Sequence, residues 1–217
     1  MAFICLAKRK GGVGASTIAA ALAGAWVGEG KRVVLLDGDP QQSLIGWAGI
    51  GEEGGTLASV TRPAVFDDDA DLRRAVDQAK AEADHVILDA RPGLHIQAIM
   101  QAIASDVALL PCGPSPLDIK PLRELLETLH QLRGDKARPL IGLVPTRYSA
   151  RTRLGRELPE ALAEISDVVG VAATIMDGLA LRIGYAECVL EGQTPEEYGG
   201  VMRDEARALA AAVEGML

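Results

Sequence analysis

The stretch KRKGGVGAST, residues 8–17, has the composition of a loop that binds phosphate groups. Its three glycines can adopt left-handed backbone conformations and carry no Cβ, so the backbone can wrap closely around an anion. Such a turn presents unpaired N–H groups and the positive end of a helix dipole to the ligand. The Ser16 hydroxyl is the expected protein ligand of a bound Mg²⁺. The predicted nucleotide-binding residues of the loop are Gly11, Gly12, Val13, Gly14, Ala15, Ser16 and Thr17.

Aspartates end two further apolar runs of the chain. In LLDGDPQQS, Asp37 and Asp39 are two residues apart, so both side chains leave the same face of an extended segment. Pro40 disfavours a helical conformation at Asp39 and keeps that segment extended. HVILDARPG places Asp89 at the end of the other run. A lone aspartate there is usually a cap or turn residue. Three beside one loop predict that one carboxylate of the pair Asp37 and Asp39 serves the water shell of a metal, that the other orients the attacking water, and that Asp89 supports the magnesium without binding it directly.

The elements that must position these residues alternate along the chain. Short apolar runs predict strands at 3–7, 32–37, 85–90, 106–111 and 139–144, with a weaker one at 168–175. Helical spacing predicts helices at 16–28, 69–82, 95–104, 117–132, 154–165 and 196–214. This alternation predicts an α/β fold, P-loop NTPase-like, with a mainly parallel sheet and helices on both faces. We expect residues 1–217 to form one domain.

Composition and charge restrict the classes of function. The net charge is −8, so DNA binding by overall charge is excluded and any nucleic-acid contact needs a local basic patch. The three cysteines are far apart and contain no CxxC pair, which favours a reducing compartment over a disulfide framework. The apolar run at the start of the chain is too short for a signal peptide. We expect a cytoplasmic protein without membrane contact.

A local basic patch is present in RYSARTRLGR, residues 147–156, which has four arginines and no acidic residue. Arg151, Arg153 and Arg156 enter a predicted helix near its start, where the helix dipole disfavours cations. Two interpretations remain open. The segment is either an ordinary solvated face or a surface for nucleic-acid phosphates, which Arg182 and the arginines of the last helix would extend.

Together these motifs resemble the ParA/MinD family of deviant Walker-A ATPases, especially the short ParA proteins that lack an N-terminal DNA-binding extension. The resemblance covers nearly the whole chain. It includes the KGG opening, DGDPQQS, ILDARPG, ASDVALLPCGPSPLDI (104–119), RTRLGREL (151–158) and GYAECVLEGQTPEEY (184–198).

The resemblance implies an activity and a set of partners. Lys10 would reach across a homodimer interface to the phosphates of the partner's nucleotide, and Asp39 would take part in water activation. ATP and Mg²⁺ would close the dimer, which would bind nonspecific DNA through a surface containing Arg151 and Arg182. A ParB-like or other activating adaptor protein would stimulate hydrolysis. The output would be DNA partition, as in plasmid segregation, or the positioning of another cargo on the nucleoid.

The chain departs from that family at three positions. A lysine usually stands where this chain has Ala15, an adenine-reading Asn is common where it has Thr146, and Arg91 replaces a proline. Loss of the lysine predicts roughly ten- to hundredfold weaker ATP binding, and slower hydrolysis. Such a chain would be largely monomeric. Ala15 is either a natural variation or a deliberate replacement of the lysine, and the otherwise complete site favours replacement.

Two other functions remain as alternatives. A membrane-associated positioning ATPase like MinD needs a basic amphipathic helix at its C-terminus, whereas DEARALAAAVEGML has small and acidic residues there. A nucleotide-independent binding module could use the same fold as a scaffold. An electron carrier like nitrogenase reductase is disfavoured, because the cysteines are not spaced as cluster ligands.

Overall fold

A computed structural model of the chain describes residues 1–52, 54–134 and 136–217, and these residues form a parallel sheet covered by helices. The strand order is β3-β2-β4-β1-β5-β6-β7, and β8 pairs with β6. The strands are β1 (Ala2–Leu6), β2 (Val33–Asp37), β3 (Thr61–Pro63), β4 (His85–Asp89), β5 (Val107–Cys112), β6 (Leu140–Tyr148), β7 (Ala173–Ile175) and β8 (Leu179–Ala180). The predicted α/β fold with a mainly parallel sheet is confirmed.

Helices connect the strands and form the outer layers. They are α1 (Ala15–Gly28), α2 (Ser43–Ala48), α3 (Thr56–Val60), α4 (Asp69–Glu82), α5 (Ile96–Ala104), α6 (Pro116–Arg133), α7 (Arg153–Val169), α8 (Gly184–Glu191), α9 (Pro195–Tyr198) and α10 (Gly200–Glu214). Among the described residues, no helix combines the length and the apolar character that crossing a membrane requires.

The central strand divides the interior into two hydrophobic clusters. Successive side chains of a strand point to opposite faces of the sheet. Accordingly Ile4 and Leu6 pack with α1 and α10 in one cluster, whereas Phe3 and Cys5 pack with α4 to α7 in the other. Both faces of β1 are therefore buried, which explains why its sequence is an apolar run without alternation.

Sheet topology places the candidate site at one edge. β1 lies between β4 and β5; the chain passes from β1 to β2 on one side of it, and later from β4 to β5 on the other side. In the parallel register Leu6 pairs with Asp89, and Asp89 pairs with Asp37. The carboxyl ends of the three strands therefore meet where strand order reverses, which is the usual ligand position in open α/β sheets.

Three elements differ from the sequence expectation. Of the predicted strand at 168–175 only residues 173–175 form a strand, β7, because α7 continues to Val169 and ends at Gly170. The predicted helix at 196–214 is divided at Gly199 into α9 and α10. Several short elements were not predicted: α2, α3, α8, β3 and β8.

Candidate functional site

The loop between β1 and α1 has the backbone that its glycines predict. Gly12 and Gly14 have φ angles of 75° and 91°, a backbone region that residues other than glycine rarely adopt. Gly14 is also the residue before the first turn of α1. A Cβ at Gly14 would lie 3.4 Å from the side chain of Thr146, so glycine also permits close packing of the loop on β6.

The helix behind the loop is held by burial. Ten of the residues of α1 are buried, most of them alanines, so the helix can pack closely between the sheet and α10. Its last turn contains Trp26, whose ring stacks on His85 with 4.2 Å between ring centroids. The helix is therefore held against the sheet, and its first turn follows directly on Gly14 of the loop.

A cavity of about 500 Å³ opens above the loop. This volume is typical of small-molecule sites. Its polar end consists of the loop together with Lys8, Asp39, Gln41 and Ser43. Its other end is mainly apolar and is formed by Trp47, Leu179, Ala180, Leu181, Tyr185, Ala186 and Val189.

A buried ion cluster lies at the polar end of the cavity. The ammonium of Lys8 contacts Oδ1 of Asp89 and lies 3.1 Å from Oδ2 of Asp39. Burial lowers the pKa of Lys8, but the two carboxylates outweigh that effect and hold the pKa above its usual range. Lys8 is therefore a cation at neutral pH, although only 5% of the residue is exposed.

Ser16 joins the same cluster from the start of α1. Its hydroxyl donates a hydrogen bond of 2.7 Å to Oδ2 of Asp89, so Asp89 binds Ser16 and Lys8 through its two oxygens. A hydroxyl and two carboxylates thus belong to one cluster beside the loop. Hard oxygen donors of this kind suit Mg²⁺, which binds one or two carboxylates and takes further oxygens from substrate phosphates. No group of three or more His, Cys, Asp or Glu side chains converges as a metal site among residues 1–52, 54–134 and 136–217.

The two aspartates of DGDPQQS have different surroundings. Asp37 accepts hydrogen bonds from the backbone N–H groups of Asp39, Leu44 and Ile45, at 3.2, 2.9 and 3.0 Å. Its carboxylate therefore caps the start of α2 and lies outside the set of residues that line the cavity. Asp39 lines the cavity, and its second oxygen accepts a hydrogen bond from Gln41.

Ala15 is the first residue of α1 and its small side chain lines the cavity. It is 3% exposed. Thr17, the other predicted loop residue beyond Ser16, also lines the cavity. The polar end of the cavity thus receives its positive charge from Lys8, which sequence reasoning did not identify. A lysine directly after the apolar run of β1 was the available signal.

Lys10 lies outside the cavity, on the side of α6. Its ammonium is 2.5 Å from Oδ1 of Asp118, while the guanidinium of Arg147 is 3.3 Å from Oδ2 of the same carboxylate. Asp118 is buried, whereas 41% of the Lys10 side chain is exposed. The lysine before the glycines is therefore paired within its own chain.

Thr146 lines the cavity and also supports the loop. Its Oγ1 donates a hydrogen bond of 2.7 Å to the carbonyl oxygen of Val13. Only 1% of Thr146 is exposed. Sequence reasoning assigned this position to base recognition, whereas its hydroxyl is directed at the loop backbone.

The predicted DNA-binding arginines lie at the exposed start of α7 and after β8. Arg153 pairs with Glu157 at 2.7 Å, and Arg182 pairs with Glu205 at 2.7 Å. The guanidinium of Arg156 donates to the carbonyl oxygens of Ala150 and Arg151, which satisfies the end of the preceding turn. Arg151 is exposed, and no ion pair of its side chain occurs within the described part of the chain.

The apolar wall of the cavity was not predicted. The indole N–H of Trp47 donates to the carbonyl oxygens of Cys188 and Gln193, each at 3.1 Å, which fixes α2 against α8. The phenol of Tyr185 donates a hydrogen bond of 2.6 Å to Glu205, which also binds Arg182. These contacts give the cavity a rigid apolar end that suits a flat ring system.

Comparisons with known proteins agree with this arrangement. A family model described as the CobQ/CobB/MinD/ParA nucleotide binding domain matches residues 4–195. The chain is 27% identical over 204 residues to the maintenance of carboxysome distribution protein A of Halothiobacillus neapolitanus, covering 94% of this chain and 90% of that protein. It is 33% identical over 164 residues to the protein of the same name from Gloeobacter kilaueensis, covering 74% of this chain and 66% of that protein.

A solved structure shares the fold. A chain of the MinC:MinD cell division protein complex of Aquifex aeolicus matches with a TM-score of 0.77 and 17% identity, covering 99% of this chain and 96% of that one.

Proposed function

The chain belongs to the family of CobQ/CobB/MinD/ParA nucleotide-binding domains, and we propose that it is a ParA-type ATPase that partitions DNA or positions a cargo. ATP and Mg²⁺ close a homodimer that binds nonspecific DNA. A ParB-like or other adaptor protein stimulates hydrolysis and releases the dimer. The protein then works in the cytoplasm, on the nucleoid.

One observation carries the proposal of nucleotide binding. The glycine loop, the first turn of α1, Ser16 and Asp39 line one cavity at the carboxyl edge of a parallel sheet, and the buried Asp89 accepts a hydrogen bond from Ser16. Backbone N–H groups of the loop suit the phosphates, and the apolar end beside Trp47 suits the base. The 500 Å³ volume is adequate for a nucleotide.

The proposed Mg²⁺ site consists of oxygen donors of the ion cluster. Ser16 and Asp89 would hold Mg²⁺, since they provide a hydroxyl and a carboxylate joined by a 2.7 Å hydrogen bond. When bound, Mg²⁺ neutralises negative charge on the phosphates. Asp37 stays a prediction as a more distant partner, because its oxygens accept the N–H groups at the start of α2.

Asp39 is the residue proposed to orient the attacking water. It lines the cavity 3.1 Å from the Lys8 ammonium, and its carboxylate can accept a hydrogen bond from a water molecule there. Lys10 is proposed to cross the dimer interface, for which it must leave Asp118. Both assignments follow the family pattern at matching positions of this sequence.

DNA binding is proposed for the surface that contains Arg151, Arg153, Arg156 and Arg182. Arg153 and Arg182 are paired with carboxylates, and Arg156 donates hydrogen bonds to backbone carbonyl oxygens, so Arg151 is expected to contribute most. Contact with DNA phosphates by a few arginines is weak for one protomer. Dimerisation doubles the patch and raises the effective affinity.

Titration of ATP with Mg²⁺ tests the proposal. The chain and its Ala15→Lys variant are titrated with ATP by isothermal calorimetry, and we expect the variant to bind about ten- to hundredfold more tightly. In the Ala15→Lys background, Ser16→Ala should remove most of the increase in ATP affinity that Mg²⁺ produces. Sedimentation velocity should show a dimer of the variant with ATP and a monomer without it.

The proposal fails if neither the chain nor Ala15→Lys binds ATP. That result would favour the second candidate, a nucleotide-independent binding module, for which Ala15 in the phosphate loop is the supporting observation. A membrane-associated positioning ATPase like MinD stays the other alternative.

A further inference from the structure

Lys8 is a buried cation whose position the ion cluster fixes. Its side chain is 3% exposed, and it contacts carboxylates that come from the ends of two different strands. A charge this deeply buried is costly unless partners compensate it. The side chain is thus held at the cavity wall, next to Ser16 and the loop, although it precedes the loop in sequence.

The geometry leaves Lys8 able to bind a ligand. An ammonium has three N–H donors, and the two carboxylates Asp39 and Asp89 occupy two of them. The remaining donor belongs to a side chain that lines the cavity. A lysine at position 15 would enter the same cavity from the start of α1, since Ala15 lines it too.

We infer that Lys8 binds the β- or γ-phosphate of the nucleotide and takes the role of the lysine that the family usually has at position 15. The inference rests on the proposed function and names a further binding residue for it. Lys8 then compensates in part for Ala15 from the strand side of the loop, so this chain still binds ATP, although more weakly than a chain with a lysine at position 15.

The other cations of the cavity are less suited to this role. Within the described residues, Arg147 and Arg182 are the other cationic side chains that line it. Arg147 pairs with Asp118, and Arg182 pairs with Glu205. Lys8 alone among the three shares a carboxylate with Ser16, which ties it to the phosphate end of the cavity.

Lys8 also reduces repulsion of the phosphates. Asp39 and Asp89 contribute two negative charges and Lys8 one positive charge, so the cluster carries a net charge of −1 in place of −2. Without Lys8, a triphosphate would meet two uncompensated buried carboxylates. Because the interior screens charge poorly, this compensation matters more here than on the surface.

Fluorescence titration with N-methylanthraniloyl derivatives of ATP and AMP tests the inference. With Mg²⁺ present, Lys8→Gln should weaken binding of the ATP derivative by about ten- to hundredfold. Binding of the AMP derivative should change less than about twofold, because AMP lacks the phosphates that Lys8 contacts. Equal losses for the two derivatives, or no loss, would overturn the inference.

A double-mutant cycle separates phosphate binding from support of the fold. In the Ala15→Lys background, Lys8→Gln should cost less than about threefold in affinity for the ATP derivative, because the two lysines serve the same phosphates. The same large cost in both backgrounds would show that Lys8 acts only through the carboxylates, and would overturn the inference.

A variant of matched charge covers the case in which Lys8→Gln does not fold. The double variant Lys8→Gln/Asp39→Asn retains the cluster charge of −1, and it should still bind the ATP derivative at least about tenfold more weakly than the parent chain. Equal binding would overturn the inference.

The outcome for the parent chain distinguishes the two proposals. If Ala15→Lys binds ATP and the parent does not, Lys8 does not replace the missing lysine and the proposed function stands. If neither binds, both proposals fail.

Discussion

The ammonium of Lys10 lies 2.5 Å from Oδ1 of Asp118, so the lysine that precedes the phosphate loop is held by the first turn of α6 in its own chain. Any contact of Lys10 with a second protomer must replace this ion pair. Because the Lys10 side chain is nearly half exposed, breaking this ion pair should cost only about 0–1 kcal/mol of free energy.

Removal of the Asp118 charge should therefore favour dimerisation. We expect Asp118→Asn, placed in the Ala15→Lys background, to strengthen the ATP-dependent dimer by up to about fivefold, the equivalent of about 1 kcal/mol. Sedimentation equilibrium at several protein concentrations measures the effect. Glu157→Gln is the matched control, because it removes an exposed carboxylate from the Arg153 pair. A weaker dimer would contradict the prediction.

Arg151 should contribute most to DNA binding. Arg151→Glu is expected to weaken binding to DNA of unrelated sequence and to reduce the slope of log affinity against log salt by about 1 or more for each protomer. Fluorescence anisotropy at several salt concentrations measures both quantities. Arg62→Glu, on the opposite edge strand β3, is the control and should leave the slope unchanged. Equal slopes for the two variants would remove Arg151 from the DNA surface.

Thr146 should stabilise the phosphate loop. Thr146→Val keeps the shape of the side chain but leaves the carbonyl oxygen of Val13 without its 2.7 Å hydrogen bond. We expect the free energy of unfolding to fall by about 1–3 kcal/mol, because the carbonyl is left without a partner in a buried position. Urea denaturation measures this loss. Thr174→Val on β7 changes an exposed threonine and should shift stability by less than about 0.5 kcal/mol.

His85 should make stability depend on pH. Burial lowers its pKa below 6.5, with Glu214 and Asp84 opposing the effect and Lys31 and the N-terminus adding to it. The folded chain then binds fewer protons than the unfolded chain, so the contribution of His85 is present above pH 6.5 and is lost as the pH falls through the folded pKa.

The variant His85→Phe tests this dependence. It retains a ring against Trp26 and removes the titrating group. The fall in melting temperature between about pH 7 and 5 should be smaller in the variant than in the parent chain. Thermal denaturation across this range measures it, and parallel pH profiles would rule out His85 as the source.

Long strands and helices could be predicted from the sequence because their patterns extend over many residues. The five stronger apolar runs correspond to β1, β2, β4, β5 and β6. Only the last three residues of the strand predicted at 168–175 form a strand, because Val168 and Val169 belong to the last turn of α7 and Gly170 ends that helix. Elements of six residues or fewer, such as α2 and β8, are too short to show a period and depend on packing against distant segments.

Local spacing also failed to determine the environment of Asp37. The rule that residues two apart share a face holds only while the chain stays extended, and β2 ends at Asp37. The carboxylate then finds the free N–H groups of α2, a helix that the sequence did not reveal. Lys8 was missed for a related reason, since its carboxylate partners are 31 and 81 residues away and only the sheet brings them together.

The strand β6 is connected both to the phosphate loop and to the proposed DNA-binding surface. Through Thr146, β6 is bonded to the loop, and five residues later the same segment reaches Arg151 at the exposed entrance to α7. If Val13 shifts when the nucleotide binds or leaves the cavity, the shift would therefore be transmitted through Thr146 to the backbone that carries Arg151. One hydrogen bond and five residues of backbone thus connect the phosphate loop with Arg151.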